Sequence, residues 1–364
     1  MKKIICFIES LTGGGAEHQL VILAELLYKK GYDVTVVTMA DIPDHYKLNE
    51  NIQRIKLGVG KSYIGKWIAV LWYFLRVKAD CIISYRQKCN IRVLPALIFR
   101  PKMKVIVSER NLTYGKPHIF EVLLFNIFYY RANYIVPNSY SQRKHILSKR
   151  ESWSSKTITI INYTDIESYP KQALPIYDNI LRIAVFARLS YQKNLPRFLK
   201  MLSMLKTKTD KKFIVHWYGN QKGNIDGYNQ DYIDAIKLIE EYNISDVVEL
   251  IPAVKNTADY MSKYHVISLP SLFEGFSNSI GEAICSCRPV ICGDVSDNGV
   301  MVQDKVNGFL FDPTSEEDMV NSFLRLLDTP IDELAKMGLN SRKRAEELFN
   351  ADTFINNYIN LIES

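Results

Sequence analysis

Two glutamates, Glu274 and Glu282, stand with seven residues between them in a segment rich in glycine and serine. The segment follows a predicted strand at 266–269 and enters a predicted helix, so its backbone N–H groups suit a phosphate. Paired carboxylates can serve acid–base catalysis, or accept hydrogen bonds from neighbouring hydroxyls of a sugar. Acids at a helix start also favour the helix dipole, which explains Glu274 better than Glu282.

Two cations stand in a second loop between a predicted strand and a predicted helix. Arg188 and Lys193 lie in the segment Ala187-Arg188-Leu189-Ser190-Tyr191-Gln192-Lys193-Asn194. Together they can bind and neutralise a diphosphate. Solvated surface charge is the alternative interpretation of this loop.

Three glycines form a third signal, in Thr12-Gly13-Gly14-Gly15-Ala16-Glu17 after the first predicted strand. They allow close approach of a ligand to the backbone before a helix N-terminus. The nicotinamide fingerprint needs a further glycine where His18 stands, so the match to a dehydrogenase is weak. A tight turn without a ligand is the alternative.

Predicted strands alternate with helices in both halves of the chain, which indicates βαβ units and parallel sheets. The predicted strands are 4–8, 34–38, 81–84, 105–108, 134–137 and 157–161, then 181–186, 213–217, 247–250, 266–269, 289–291 and 309–311. A linker is predicted at 162–179, around Pro170 and Pro175. The sequence therefore predicts two doubly wound α/β domains facing a cleft, with ligands at the carboxyl ends of the strands.

Composition agrees with a globular protein of about two domains, since the chain has 364 residues, 47% apolar and 23% charged. It excludes disordered, collagen-like and disulfide-rich classes. A net charge of +7 favours anionic partners. The six cysteines form no CxxC pair, and Cys285, Cys287 and Cys292, which lie in or beside apolar runs, are predicted to be buried free thiols. A reduced, cytoplasmic compartment is expected. No apolar stretch approaches the ~20 residues that span a bilayer.

The three motifs and a fourth, Asn307-Gly308-Phe309-Leu310-Phe311, resemble retaining glycosyltransferases of family four, in particular those that build bacterial surface polysaccharides. The Glu-x7-Glu spacing is that family's motif, and the four motifs occur in the family's order. The resemblance implies a GT-B fold of two Rossmann-like domains. We expect an acceptor domain at 1–165, a nucleotide-sugar donor domain at 166–348, and a helix at 349–364 that packs back on the first domain.

The resemblance also implies roles for single residues. Arg188 and Lys193 would hold the diphosphate and stabilise its leaving charge, Glu274 would contact the transferred sugar, and Glu282 would bind the ribose hydroxyls. Arg188, Lys193 and Glu274 would be the catalytic residues. The further donor contacts implied are Gly14, Gly15, Val254, Gly275, Phe276, Ser277, Asn278 and Ser279.

The chain departs from the family pattern where many members carry a histidine after the fourth predicted strand. It has Ser108-Glu109-Arg110-Asn111 there, a variant familiar in members that build bacterial surface glycans. Glu109 and Arg110 thus become candidates for acceptor or sugar contact, and His118 is predicted to be a surface histidine. No Asp-x-Asp motif stands at a strand end, so neither a metal nor a cofactor beyond the donor is expected.

Apolar segments at 67–75 and 120–130, flanked by lysines and arginines, favour a membrane interface as well as core helices. We expect peripheral binding to the anionic inner face of the cell membrane and a lipid-diphosphate-linked glycan as acceptor. A nucleic-acid partner is not expected, because the cations form no recognisable module. The alternatives are a nucleotide-sugar epimerase on the same scaffold and a non-catalytic sugar-binding protein.

Overall fold

The computed structural model describes residues 1–58, 63–110, 119–222 and 227–364. It divides into two compact units. Unit 1 comprises Met1–Asn162 together with Ala351–Ser364, and unit 2 comprises Tyr163–Asn350. His118 lies outside the described residues.

Unit 1 is built on a sheet of six parallel strands in the order β3-β2-β1-β4-β5-β6. The strands are β1 (Lys3–Ile8), β2 (Asp33–Thr38), β3 (Gln53–Lys56), β4 (Cys81–Tyr85), β5 (Lys104–Glu109) and β6 (Tyr134–Pro137). The helices are α1 (Gly15–Lys29), α2 (Tyr63–Arg76), α3 (Gln87–Ile98), α4 (Ile119–Phe128) and α5 (Tyr140–Lys149). Runs of valine and isoleucine are buried in the central strands, as a sheet covered on both faces requires.

Unit 2 repeats this topology in a second parallel sheet, in the order β12-β11-β10-β7-β8-β9. Its strands are β7 (Ile180–Phe186), β8 (Lys212–Gly219), β9 (Val248–Pro252), β10 (Val266–Leu269), β11 (Val290–Gly293) and β12 (Gly308–Phe311). Its helices are α6 (Leu195–Lys208), α7 (Gln230–Glu241), α8 (Ala258–Met261), α9 (Asn278–Cys285), α10 (Asn298–Met301), α11 (Glu316–Asp328) and α12 (Ile331–Leu348). The last helix, α13 (Ala351–Glu363), belongs to unit 1.

Both sheets reverse their strand order at one point, between β1 and β4 in unit 1 and between β7 and β10 in unit 2. Loops that leave neighbouring strands there run to opposite faces of the sheet and open a crevice at the carboxyl edge. The predicted doubly wound α/β architecture is confirmed. Each sheet thus has one place where its loops can gather a ligand.

One predicted strand, at 157–161, is wrong. Thr157 forms only an isolated bridge to Ile135. Ile158 and Ile160 donate single backbone hydrogen bonds to β6, from Ile158 N to Ile135 O at 3.0 Å and from Ile160 N to Pro137 O at 3.1 Å. The segment lies extended along the edge of the sheet without completing a ladder.

All six cysteines are buried and free, which confirms the prediction for Cys285, Cys287 and Cys292. Burial raises the pKa of the Cys6 and Cys89 thiols to about 12. These thiols stay protonated near neutral pH, so they pack as small apolar groups. In the part of the chain that the structure describes, no helix is both long and apolar enough to cross a bilayer.

Candidate functional site

The loops that follow β7 and β10 meet at the crevice of unit 2. Because these strands are neighbours, their carboxyl ends lie at the same edge of the sheet. The backbone N–H of Leu272 donates to Gln192 O at 2.9 Å, and Gln192 Nε2 donates to Phe273 O at 2.9 Å. These two hydrogen bonds hold the cationic loop against the two residues that precede Glu274.

Lys193 and Glu274, predicted from separate motifs, form an ion pair. Lys193 Nζ lies 2.5 Å from Glu274 Oε1, and only 11% and 9% of the two side chains is exposed. Ser296, in the loop after β11, donates to Glu274 O at 2.7 Å and accepts from Glu274 N at 3.3 Å. Ser296 thus fixes the backbone of Glu274 at the edge of the sheet, and Lys193 holds its carboxylate.

Arg188 differs from Lys193, because its side chain is exposed. Among the described residues no carboxylate pairs with it and no carbonyl accepts a hydrogen bond from it. Its guanidinium can therefore bind an anion without first giving up a protein partner. A planar guanidinium matches the oxygens of a phosphate in a bidentate geometry.

The start of α9 presents its N-terminus at the same edge. Ser277 caps the helix by accepting a hydrogen bond from Ile280 N at 3.4 Å. Ser279 Oγ donates to Phe186 O at 2.8 Å, which ties the first turn to the end of β7. Gly275, Phe276 and Ser277 are buried, and Asn278 and Ser279 are partly exposed. A helix N-terminus beside two cations is electrostatically suited to a phosphate.

Glu282 lies one turn further along α9 and faces other partners. Its Oε2 accepts a hydrogen bond from Thr257 Oγ1 at 2.8 Å. Thr257 precedes α8, and the partly buried Val254 lies in the same loop after β9. Burial raises the pKa of the Glu282 carboxyl to about 7, and the hydroxyls of Thr257 and Tyr169 oppose that rise.

The other predicted residues lie in unit 1, and the glycine loop has a structural task there. Gly14 is the N-cap of α1, and a Cβ at Gly14 would lie 2.2 Å from Glu17 Oε2. Glu17 is buried and pairs with Arg86 at 2.9 Å, on the loop after β4. Gly14 thus makes room for a buried carboxylate at the crevice of unit 1, while Gly15 is exposed as the first residue of the helix.

Glu109 ends β5 and is buried in a polar network. Tyr129 Oη and Asn90 Nδ2 both donate to Glu109 Oε1, the latter at 3.0 Å. Burial raises the pKa of the Glu109 carboxyl to about 7, against the opposing effects of these hydrogen bonds and of the Arg110 charge.

Arg110 is also buried, and it ties three segments of unit 1 together. Its guanidinium donates to Asn162 Oδ1 at 2.7 Å and to the Tyr358 hydroxyl on α13 at 3.1 Å. It also stacks over the Tyr85 ring, 3.9 Å from the centroid. These partners give Arg110 a role in holding α13, and its contact with an acceptor stays a prediction.

The substitution Glu109→Gln should change how stability depends on pH. The native pKa lies above the ordinary value of 4.5, so between those values the native state binds more protons than the unfolded state. Stability of the wild type should therefore fall as pH rises from about 5 to 8, by up to about 3 kcal/mol relative to the variant, since one pKa unit corresponds to about 1.4 kcal/mol. Urea unfolding across this range measures the difference.

The exposed Glu151 of the same unit offers a matched control, because Glu151→Gln also replaces one carboxylate by an amide. A constant difference between the wild type and Glu109→Gln would contradict the expected titration.

Sequence reasoning missed Ser296, Thr257 and Tyr169. Ser296 follows β11, so its position beside the β10 loop could have been found from the strand order. Thr257 starts a four-residue helix and Tyr169 ends a short 3₁₀ turn in the linker, and neither carries a motif.

Comparison with known proteins identifies a family domain within unit 2. Residues 170–344 match the family model described as glycosyl transferases group 1. A curated relative from Campylobacter jejuni, N-acetylgalactosamine-N,N'-diacetylbacillosaminyl-diphospho-undecaprenol 4-alpha-N-acetylgalactosaminyltransferase, is 25% identical over 96% of both chains.

Two solved structures are similar over the whole chain. Sucrose-phosphate synthase from Thermosynechococcus elongatus has a TM-score of 0.85 at 17% identity, covering 100% of this chain and 98% of that one. HepE of Anabaena, in complex with UDP and glucose, has a TM-score of 0.82 at 19% identity, with 100% of both chains covered. Residues 170–344 therefore form a domain of the glycosyl transferases group 1 family, and the fold of the chain is that of the GT-B enzymes.

Proposed function

We propose that this enzyme is a retaining glycosyltransferase that moves a sugar from a nucleoside-diphosphate sugar, a UDP-sugar, to a lipid-diphosphate-linked glycan in bacterial polysaccharide synthesis. The observation that carries the proposal is the cluster at the carboxyl edge of β7 and β10. There the exposed Arg188 and the Lys193–Glu274 pair lie on loops bonded to each other, beside the N-terminus of α9.

The cluster suits the charges that develop during transfer. Breaking the bond between the sugar C1 and the diphosphate oxygen leaves negative charge on the phosphate and positive charge on the sugar. Arg188, Lys193 and the α9 backbone stabilise the negative charge on the phosphate, and Glu274 faces the positive charge on the sugar. The acceptor oxygen bonds to C1 on the face that the phosphate leaves, and its proton passes to the departing phosphate oxygen. The configuration at C1 is thereby retained.

Two relatives support the choice of substrates. HepE was solved with UDP and glucose, and the name of the Campylobacter relative specifies a diphospho-undecaprenol acceptor. We propose that this chain likewise uses a UDP-sugar as donor and a lipid-diphosphate-linked glycan as acceptor. No divalent metal is required in this mechanism, because the cations of the site neutralise the diphosphate.

A donor panel tests the proposal. The purified protein is incubated with each common nucleotide sugar, with and without EDTA, and the release of free nucleoside diphosphate is followed. Release from a UDP-sugar, unchanged by EDTA and lost in Glu274→Ala, is the expected result. NMR of the sugar product should show the anomeric configuration of the donor. No release and no thermal shift with any donor would exclude the assigned activity.

We further propose that unit 1 binds the cytoplasmic face of an anionic membrane through an apolar face on α2. This face consists of Ile64, Ile68, Leu71 and Trp72, which are exposed at helical spacing, while Val70 and Phe74 point into the core. Ile98 and Phe99 at the end of α3, and Leu123 and Ile127 on α4, add exposed apolar surface to helices that pack next to one another.

Basic residues accompany the apolar face. The Arg76 guanidinium lies 4.3 Å from the centre of the Trp72 ring, and Lys78, Lys88 and Lys102 are exposed. Helices α2 and α3 carry no aspartate or glutamate. Exposed tryptophan with nearby cations, on a helix without acidic residues, suits the interface of an anionic bilayer.

The substitution Ile68→Glu should weaken membrane binding without lowering donor hydrolysis. Burying one isoleucine is worth roughly 1.5–3 kcal/mol, so partitioning into anionic vesicles should fall about tenfold or more. Sedimentation with vesicles containing phosphatidylglycerol measures it, with phosphatidylcholine vesicles for comparison. The control is Ile176→Glu, since Ile176 of unit 2 is 91% exposed. Equal loss in both variants, or no preference of the wild type for anionic lipid, would contradict the assignment.

A further inference from the structure

A tyrosine of the linker reaches the donor-site glutamate of unit 2 through a threonine. Thr257 Oγ1 donates to Glu282 Oε2 at 2.8 Å, and the Tyr169 hydroxyl lies 3.3 Å from Thr257 Oγ1. A threonine hydroxyl has one hydrogen, and here Glu282 accepts it. Tyr169 must therefore be the donor in its bond with Thr257, and the two hydroxyls form a chain that ends on the carboxylate.

The linker segment that carries Tyr169 is held firmly against α9. Arg342 of α12 is buried and donates to Tyr169 O at 2.6 Å and to Cys285 O at 2.8 Å. A Cβ at Gly281, next to Glu282, would lie 2.7 Å from Thr164 Oγ1. The close approach of Thr164 and the clamp of Arg342 fix the distance between Tyr169 and the helix.

We propose that Tyr169 and Thr257 are positioning residues that orient the Glu282 carboxylate and keep it ionised, so that it can accept hydrogen bonds from two hydroxyls of the donor nucleotide. The inference rests on the proposed function, in which Glu282 binds the ribose. A carboxylate has about four acceptor positions, so one bond from Thr257 leaves room for both ribose hydroxyls. A protonated carboxyl offers fewer acceptor positions and adds a donor that competes with the ligand.

Among Glu282 and the groups that contact these two hydroxyls, Glu282 is the one that titrates in the neutral range. Burial raises its pKa to about 7, while the hydroxyls of Thr257 and Tyr169 lower it. The pKa values of Tyr169 and of Cys285, the titratable groups that face Glu282 from the linker and from α9, are raised far above neutral. Arg342 of α12 and Asp165 of the linker act on Cys285, and Thr257 of α8 does not titrate.

The experiment measures KM and kcat for the donor, between about pH 6 and pH 9, in the wild type, Tyr169→Phe, Thr257→Val and Thr257→Ser. In the wild type, KM should fall as pH rises through the Glu282 pKa. Loss of either hydroxyl removes stabilisation of the charged form, so the inflection of KM should move to higher pH. At neutral pH, KM should rise about tenfold, with kcat changed less than about twofold, as for one lost hydrogen bond to a charged group.

Controls separate positioning from folding and from the function itself. Thr257→Ser keeps the hydroxyl and should restore the wild-type profile, and Tyr242→Phe removes another tyrosine hydroxyl of unit 2, at the end of α7. In a Glu282→Gln background, Tyr169→Phe should have no further effect on KM. A KM raised equally at all pH values, or an unchanged profile in Tyr169→Phe, would overturn the positioning role while transferase activity stands. A wild type that releases nucleotide from no donor would overturn the function on which the role rests.

Discussion

Replacing Arg188 by alanine should lower the rate of nucleotide release from the donor by about 10²–10³-fold, the cost of removing one preorganised donor to a developing oxyanion. The fold should be unaffected, because the Arg188 side chain is exposed and no described residue depends on it as a partner. The loss should appear mainly in kcat, since charge on the leaving phosphate is greatest in the transition state. Steady-state kinetics with the donor identified by the panel measures it.

Arg325→Ala is the matched control for Arg188→Ala, because Arg325 is another exposed arginine of unit 2, on α11. It should keep wild-type kinetics. Arg188→Lys should recover part of the rate, since a lysine restores the charge but not the bidentate geometry. Wild-type turnover in Arg188→Ala would contradict the assignment of Arg188 to the donor site.

Breaking the Lys193–Glu274 pair should cost stability as well as activity. In Lys193→Met the Glu274 carboxylate remains buried without its counter-ion, which typically destabilises a protein by about 3–5 kcal/mol. The double variant Lys193→Met/Glu274→Gln has no buried charge at this place and should regain most of the stability. Both variants should be inactive, because each lacks the ammonium that faces the diphosphate.

Urea unfolding and donor turnover, measured on the same preparations, test this separation of stability from activity. The single variant Glu274→Gln completes the double-mutant cycle, because it leaves Lys193 buried without its counter-ion. The pair would lose its assigned importance if all three variants were as stable as the wild type. Turnover of the donor by the double variant at the wild-type rate would contradict a catalytic role of the pair.

The sequence was sufficient for the architecture and for placing the loops of Lys193 and Glu274 at strand ends of unit 2. Alternating strands and helices predicted two parallel sheets, and both are present. Once β7 and β10 are neighbours, their loops must meet, so the contact between Lys193 and Glu274 follows from topology. Short-range sequence signals were enough to predict these loops, because each motif, its loop and the start of the following helix lie within a few residues of a strand end.

Other features depend on contacts between distant parts of the chain, which no local pattern contains. The contacts of the buried Arg110 guanidinium with Tyr358 on the last helix and with Asn162 at the end of unit 1 were not predicted. Helix α3 was not predicted, because it contains Pro95 and begins with polar residues, and tertiary packing on α2 overrides that weak propensity. The role of Tyr169 in the linker escaped prediction for the same reason.

The six buried cysteines have a practical consequence for spectroscopy. A maleimide reacts with an accessible thiolate, and the native chain offers it six thiols that are all enclosed by packed side chains. A single substitution such as Trp72→Cys therefore introduces a selectively reactive handle on the apolar face without prior removal of native cysteines. An environment-sensitive fluorophore attached there would report directly on the polarity that this helix meets when vesicles are added.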